Sequence, residues 1–454
     1  MKIAGQTTLL DLGLTDGAAK RRVGKSEPGY HWKLGGSPPS IGQHSIAKHD
    51  IYVRYVERYV STLTKRHVQS RLKMTVVDGF CGGGRYTIGN GTVEGSPLKL
   101  LYAIEAERVR LTARREDFDL DVDFVFIDEN EDHLEFLRDQ LVRAGFGHMI
   151  GKKIKLVCST FEAQAPTLIE AIKRKGRAHH ALFFLDQYGW SDVKLATIRK
   201  IMAELENPEV ILTFMVDALV NLLNEKTNSL SALAAIDYTR EDVRDLIAMK
   251  DNRGWKSLIQ HSVYLHIQRH TGASFYTPFF IHPPESHRDY WLLHLSKHHK
   301  AREEMGNVFW QTNNTMEHFG GAGFNALGFD PSVDMRQQLM DYTFDDNAEA
   351  RSKKQLLNQL PPLLHEGWRQ SGVVTKKDLF ASRANDTPVV GHIVDSQLAE
   401  LRDAGEVIIV GHKKDKQGNV VGKVVRERAT EFKWDDEIIR PKQPDLFSVF
   451  TKAA

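Results

Sequence analysis

Four short apolar runs constrain this 454-residue chain more than any other feature: MTVVD (74–78), VDFVFID (122–128), IKLVCS (154–159) and ALFFLD (181–186). Each is followed by a loop and a helix-forming stretch, such as NEDHLEFLRDQLVRAG after the second. Strands that are apolar throughout need cover on both faces, and helical crossovers supply it. The pattern therefore predicts an α/β fold with a parallel sheet. A fifth run, EVILTFMVD (209–217), follows. FYTPFFIH and DYWLLHLS, separated only by PPESHR, then predict an antiparallel hairpin.

Parallel βα units closed by an antiparallel final pair describe a class I methyltransferase fold better than a classical dinucleotide-binding fold. That domain is expected over 46–330, with a polar, mostly helical insertion around 224–272. Ahead of it, residues 1–45 are rich in Gly, Pro and Lys and read as an irregular arm. YVRYVERYVSTL then places Tyr52, Tyr55, Val56, Tyr59, Val60 and Leu63 on one helical face. Over 351–430, three helical stretches followed by EVIIVGHKKDKQGNVVGKVVRER, a hairpin with KQGN at its tip, predict a winged-helix-like unit. Residues 431–454 form a C-terminal tail.

Composition narrows the function classes. Lys plus Arg (61) nearly balances Asp plus Glu (59), so any nucleic-acid contact must come from a local basic patch. The two cysteines, Cys81 and Cys158, exclude a disulfide scaffold and cannot supply the three thiolates of an iron–sulfur site by themselves. The N-terminal stretch lacks a signal-peptide core, and no apolar run is long enough to span a membrane. A cytoplasmic location is expected. The His-His pairs at 179 and 298 lack partners at ligand spacing, so no metal site is expected.

The loop after the first strand, DGFCGGGRY, carries the cofactor expectation. Asp78 ends the strand, and Gly79, Gly82, Gly83 and Gly84 permit tight turns and close backbone approach at the carboxyl edge of the sheet, where such folds bind ligands. A pyrophosphate-binding loop would run straight into a helix, but here TIGNGTVEG, read as irregular, intervenes before a helix near Ser96. There is also no P-loop lysine followed by Ser or Thr. An adenosine ligand without phosphates, S-adenosylmethionine, fits better than NAD or ATP. Asp128, at the second strand end, is placed to accept hydrogen bonds from ribose hydroxyls, or else to cap the following helix. With Phe80, Cys81 and Phe161, the candidate cofactor residues are Asp78, Gly79, Phe80, Cys81, Gly82, Gly84, Asp128 and Phe161. Cys81 is read as a small packing residue rather than a nucleophile.

FLDQYGW sets Asp186, Gln187 and Tyr188 at the mouth of the fourth strand as the catalytic candidates. They resemble the Asp-Pro-Pro-Tyr signature of methyltransferases that modify exocyclic amines of bases, in which the acid and a carbonyl accept from the amine and the ring stacks on the base. Gln187 replaces the first proline and the second is missing, which puts the base-amine substrate in doubt more than the cofactor. Read structurally, Asp186 caps a helix and Tyr188 packs in the core.

KHDIYVRYVERYV, VVDGFCGGGRY, EGSPLKLL, FLDQYGW and YWLLHLSKHHKAREEMGNVFW together resemble the three-Cys-motif partner family, TcmP, over roughly 48–310. The resemblance implies a companion to a phage-type, radical-SAM-like protein bearing a three-cysteine motif. It brings no settled reaction. Three readings stay open: a nucleic-acid methyltransferase, a non-catalytic cofactor-binding adaptor, and a DNA-binding protein with a sensor domain. For DNA, the candidates are Lys376 and Lys377 at a helix start and Lys413, Lys414, Lys416 and Lys423 around the hairpin, with Arg426 beside them. QPDLF, spanning Gln443 to Phe447, resembles the pentapeptide by which bacterial replication proteins dock onto the sliding clamp.

Overall fold

The computed structural model of the protein describes residues 30–65, 69–216, 218–219, 233–250, 255–281, 290–312, 316–319, 341–343, 346–381, 383–415, 417 and 419–441. The chain forms two compact units, Met1–Glu317 and His318–Ala454.

In the first unit, helix α1 (Gln43–Thr64) leads into strand β1 (Arg71–Asp78), the short strands β2 (Arg85–Ile88) and β3 (Gly91–Glu94), and helix α2 (Ser96–Arg114). Three further strand–helix units follow: β4 (Asp119–Asp128) with α3 (Glu131–Arg143), β5 (Ile154–Cys158) with α4 (Phe161–Arg174), and β6 (His180–Leu185) with α5 (Leu195–Glu204). Strand β7 (Asn207–Phe214) precedes α6 (Arg240–Met249) and α7 (Trp255–His270). Strands β8 (Phe275–Ile281) and β9 (Tyr290–Ser296) and helix α8 (His299–Gln311) follow, and strand β10 (Met316–Phe319) begins at the end of the unit.

Sheet order is β5-β4-β1-β6-β7-β9-β8-β10. The first five strands are parallel; β9 runs antiparallel to both β7 and β8. This is the mostly parallel, methyltransferase-like α/β sheet with an antiparallel final pair. Chain order reverses across β1, which lies between β4 and β6, and such a switch point opens a crevice at the carboxyl edge. Val76, Val77, Phe124, Phe126, Phe183 and Phe184 have no exposed surface, which explains why these strands read as continuous apolar runs. Local signals set the helix starts. The Asn130 side chain accepts from the Asp132 amide at the head of α3, and Thr160 accepts from the Ala163 amide at the head of α4.

One segment expected to be irregular is regular, and the irregular arm packs against it. TIGNGTVEG falls in the β2–β3 hairpin, whose turn uses Gly89 at φ +54°, a conformation that favours glycine. The arm, over its described part, docks along that hairpin: the Ile41 amide donates to Thr87 O (3.0 Å) and the Thr87 amide to Pro39 O (2.8 Å).

The second unit holds β11 (Asp341–Thr343), α9 (Asp346–Ser371), β12 (Val374–Thr375), α10 (Lys376–Ala381), α11 (Gly391–Asp403), β13 (Ile408–Lys414), β14 (Val420–Val425) and β15 (Glu437–Ile439). Its antiparallel sheet has the order β12-β15-β13-β14, with β14 on the edge. Among the described residues, no helix is long and apolar enough to cross a membrane.

Candidate cofactor and acceptor site

Parallel register brings three predicted carboxylates to one edge of the sheet. Asp78 ends β1, Asp128 ends β4 and Asp186 follows β6, and these strands are neighbours.

The glycine loop is held from within. The Gly79 amide donates to Phe184 O (2.9 Å), the Cys81 amide to Ile127 O (3.0 Å) and the Gly82 amide to Asp128 Oδ2 (3.0 Å). A phosphate-binding loop aims its amides at the ligand. Here three of them are committed to the protein, which disfavours a pyrophosphate ligand. Gly82 (φ +56°) and Gly84 (φ +76°) occupy the left-handed region. A Cβ on Gly79 would lie 2.7 Å from Leu185 and 3.1 Å from Phe161, so Phe161 sits packed against the loop, with 1% of its surface exposed. Burial, then Asp128 and Asp78, push the Cys81 thiol well above its usual pKa, so it is no nucleophile at neutral pH.

Asp78 has no exposed surface. Its Oδ1 accepts from the Phe80 amide (3.2 Å), while Oδ2 has no hydrogen-bond partner. Burial raises its pKa to about 7, with Asp186 and Asp128 adding to the rise, against the pull of Ser96 and the Phe80 amide. Asp128 accepts three bonds, from the amides of Gly82 and Asn130 (2.9 Å) and from His133 Nδ1 (3.0 Å). It therefore shapes the loop and the helix start, and a ribose would share an oxygen already in use.

Above the loop lies a residue that sequence reasoning passed over. Trp32, 4% exposed, covers Gly82 and Gly83 so closely that a Cβ on either would come within 2.7 Å of its ring. Its indole Nε1 donates to Arg85 O (2.5 Å), and the ring meets Tyr86 and His133 edge-on at 5.1 and 4.9 Å. The glycines thus receive a tryptophan from the arm. The one signal was the cluster YHW amid Gly and Pro.

At the β6 mouth, Asp186 pairs with Lys48 Nζ from α1 at 2.5 Å. Burial pushes its carboxyl up, but Lys48 outweighs this and holds it below the usual range. Burial, then Lys48, lowers the pKa of His49 to about 3, so it is a neutral imidazole; its Nδ1 is buried without a partner. Lys48 and His49, the KH of KHDIYVRYV, were legible only as part of a helix start. Tyr188 is 61% exposed rather than packed in the core. The Gln187 side chain is buried. It is 2% exposed, donates to Thr213 O (3.1 Å) and accepts from the amides of Asp192 and Val193 (3.0 and 2.9 Å), so it fastens the loop.

The basic candidates of the second unit divide. Lys376 is removed from any phosphate-binding role: it is 3% exposed, paired with Asp395 at 2.7 Å, bonded to Phe432 O and set over the Trp434 ring. Lys423 pairs with Glu437 (2.6 Å) and Arg426 with Asp436 (3.2 Å), while Lys377 and Lys413 are exposed. Lys414 belongs to β13; Lys416 and the segment Gln443–Phe447 lie outside the described residues. The histidine pairs make local bonds: His179 to Thr75 (2.8 Å), His180 to Tyr59 (3.0 Å), and His298 to the Lys300 amide (3.1 Å).

No family model matches the chain, and no curated protein matches it in sequence. Among solved structures, the Legionella pneumophila protein LPL1258, of the family DUF519, matches at 10% identity, covering 56% of this chain and 84% of its own, with a TM-score of 0.31. A SAM-dependent methyltransferase from Agrobacterium tumefaciens matches at 10% identity (57% and 64%, TM-score 0.29), and an rRNA methylase from Streptococcus thermophilus at 14% (57% and 99%, TM-score 0.23). With identities and TM-scores this low, strand order and strand direction define the fold.

Proposed function

We propose that this chain binds S-adenosylmethionine at the carboxyl ends of β1 and β4 and transfers its methyl group to an exocyclic amine of a nucleic-acid base held at the mouth of β6. One observation carries the reading: an ionised Asp186, clamped by Lys48, beside an exposed Tyr188 ring and next to a glycine loop whose amides are committed inward.

The residues fit the cofactor on chemical grounds. Asp78 Oδ2, a buried acceptor without a partner, suits the cofactor's ammonium, and an edge bearing three carboxylates suits its sulfonium. When bound, the cofactor supplies an electrophilic methyl group. Asp186 accepts a hydrogen bond from the acceptor amine and fixes its lone pair. Held at low pKa, it is a weak base, so its contribution is orientation more than proton removal. Tyr188 offers a face on which a base stacks. Lys377 and Lys413 give the winged-helix-like unit an exposed basic surface for DNA, and the resemblance to TcmP supplies the radical-SAM-like companion.

A second reading is favoured by Trp32. An indole that fills the space over Gly82 and Gly83 suits an adaptor whose site opens only when its partner draws the arm away. The test incubates the protein, with and without that partner, with methyl-labelled S-adenosylmethionine and DNA, RNA and protein. Label in nucleic acid supports the enzyme. Cofactor binding without transfer under any condition supports the adaptor.

A further inference from the structure

On the flank of the first unit, away from the strand mouths, α1, α2 and α8 enclose a groove of 610 Å³. Six basic residues line it (Arg54, Arg58, Lys65, Arg110, Arg114 and Arg115) against three carboxylates, Glu57, Glu107 and Glu304. Leu111 is the one apolar residue on its wall among the described residues. Ligand pockets for neutral small molecules are lined mostly by apolar groups. This one is lined by charge, and by charge of one sign in excess.

Half of the cations are spoken for. Arg58 pairs with Glu304 (2.8 Å), and Arg110 with Glu57 (3.7 Å) and Glu107. Arg115 donates to Thr64 O (3.3 Å) and lies over the Phe118 ring. Arg54, Lys65 and Arg114 are exposed, and no carboxylate among the described residues pairs with them. Three exposed cations without an ion-pair partner among the described residues, set along one groove beside paired ones, make a track for several phosphates rather than a seat for one.

We infer that this groove binds the phosphodiester backbone of a nucleic acid. The inference rests on nucleic acid as the substrate class proposed above, but not on methyl transfer. Lysines at the tip of the second unit were the sequence's candidates for this work; the groove belongs to the first unit and none of its residues was among them.

The test measures fluorescence anisotropy of labelled single-stranded DNA, single-stranded RNA and duplex DNA with the full chain across a salt series, beside calorimetry with S-adenosylmethionine. The double variant Arg54→Glu, Arg114→Glu is expected to lose at least about tenfold in affinity and to flatten the salt dependence by about two phosphates' worth of slope. The pair Arg54→Lys, Arg114→Lys is expected to stay near wild type, and all variants to keep cofactor affinity. Wild-type affinity in the charge-reversed variant, with loss instead in Lys413→Glu, would overturn the groove while leaving the nucleic-acid reading intact. Equal loss in the lysine variant, or competition by inorganic phosphate as effective as by oligonucleotide at equal phosphate concentration, would also overturn it. Absence of oligonucleotide binding beside intact cofactor binding would remove the groove and spare the cofactor site.

Discussion

The two edges of the parallel sheet handle buried charge in opposite ways. At the amino edge, Asp119, Asp121 and Asp123 on β4 meet three cations. Arg71 reaches Asp119 (2.8 Å) and Asp121 (2.5 Å), Lys153 reaches Asp121 (2.5 Å) and Asp123 (3.0 Å), and Lys175 reaches Asp123 (2.5 Å). Burial opposes ionisation of Asp121, but Lys153 and Arg71 outweigh it and hold its pKa below the usual value. At the carboxyl edge, Lys48 pairs with Asp186, while Asp78 and Asp128 are bonded by amides and a histidine. The amino edge is closed and neutralised. The carboxyl edge is short of positive charge, and a cationic ligand such as a sulfonium would supply what is missing. Local conflicts of this kind concentrate at functional sites because stability alone would remove them.

Removing a cation from the amino edge and neutralising the unpaired Asp78 at the carboxyl edge should therefore have opposite signs. The largest effect is expected for Lys175→Met, which strips a nearly buried cation from Asp123. Breaking a buried pair typically costs about 3–5 kcal/mol. Urea denaturation at pH 7 should find a loss of that order, and a change under about 1 kcal/mol would mean that Lys153 alone suffices.

Asp78→Asn should go the other way. The folded pKa of Asp78 is raised to about 7 against an ordinary 3.8, so its contribution to stability is present in full below about pH 4 and is lost as pH rises through 7. The asparagine variant escapes that loss, and at pH 8 it should be more stable than wild type by up to roughly 4 kcal/mol, with the difference vanishing at pH 4. A cationic cofactor bound at ionised Asp78 should also release protons when it binds near pH 6. Destabilisation by Asp78→Asn at pH 8 would place this edge with its opposite. Smaller still is Asp128→Ala, which frees the Gly82 and Asn130 amides. A cost of about 1–2 kcal/mol in stability and about 1–3 kcal/mol in cofactor binding is expected from calorimetry and melting.

Legibility in the sequence followed the same divide. The strands and the final hairpin could be read because burial on both faces writes itself as unbroken apolar runs, and strand ends mark where Asp78, Asp128 and Asp186 fall. What holds this edge was illegible, since Lys48 reaches Asp186 from 138 residues away and Trp32 reaches the glycine loop and Arg85 from 53. Gln187 follows Asp186 at the strand mouth and reads with it as catalytic, but an amide with donors and acceptors at one end fastens a loop equally well. TIGNGTVEG looked irregular because its glycines were counted as breakers. Two strands of four residues around Gly89 use the same glycines as a hairpin turn.

The smallest effect on stability, and the one that separates reaction from architecture most cleanly, is expected at Tyr188. Its neighbours at the carboxyl edge are buried and their replacement disturbs packing or charge, so a loss of activity there has two explanations. Tyr188 is 61% exposed, and replacing so exposed a side chain by Ala ordinarily shifts stability by less than about 0.5 kcal/mol. An exposed aromatic ring serves no buried core, yet a base stacked on one gains about 1–3 kcal/mol. Tyr188→Ala should leave the melting temperature and cofactor affinity unchanged and raise the KM for a nucleic-acid acceptor by roughly five- to a hundredfold, while Tyr188→Phe, which keeps the ring, stays near wild type. If Ala and wild type share one KM, the acceptor is held elsewhere, and the carboxyl edge is a cofactor site without the base contact assigned to it.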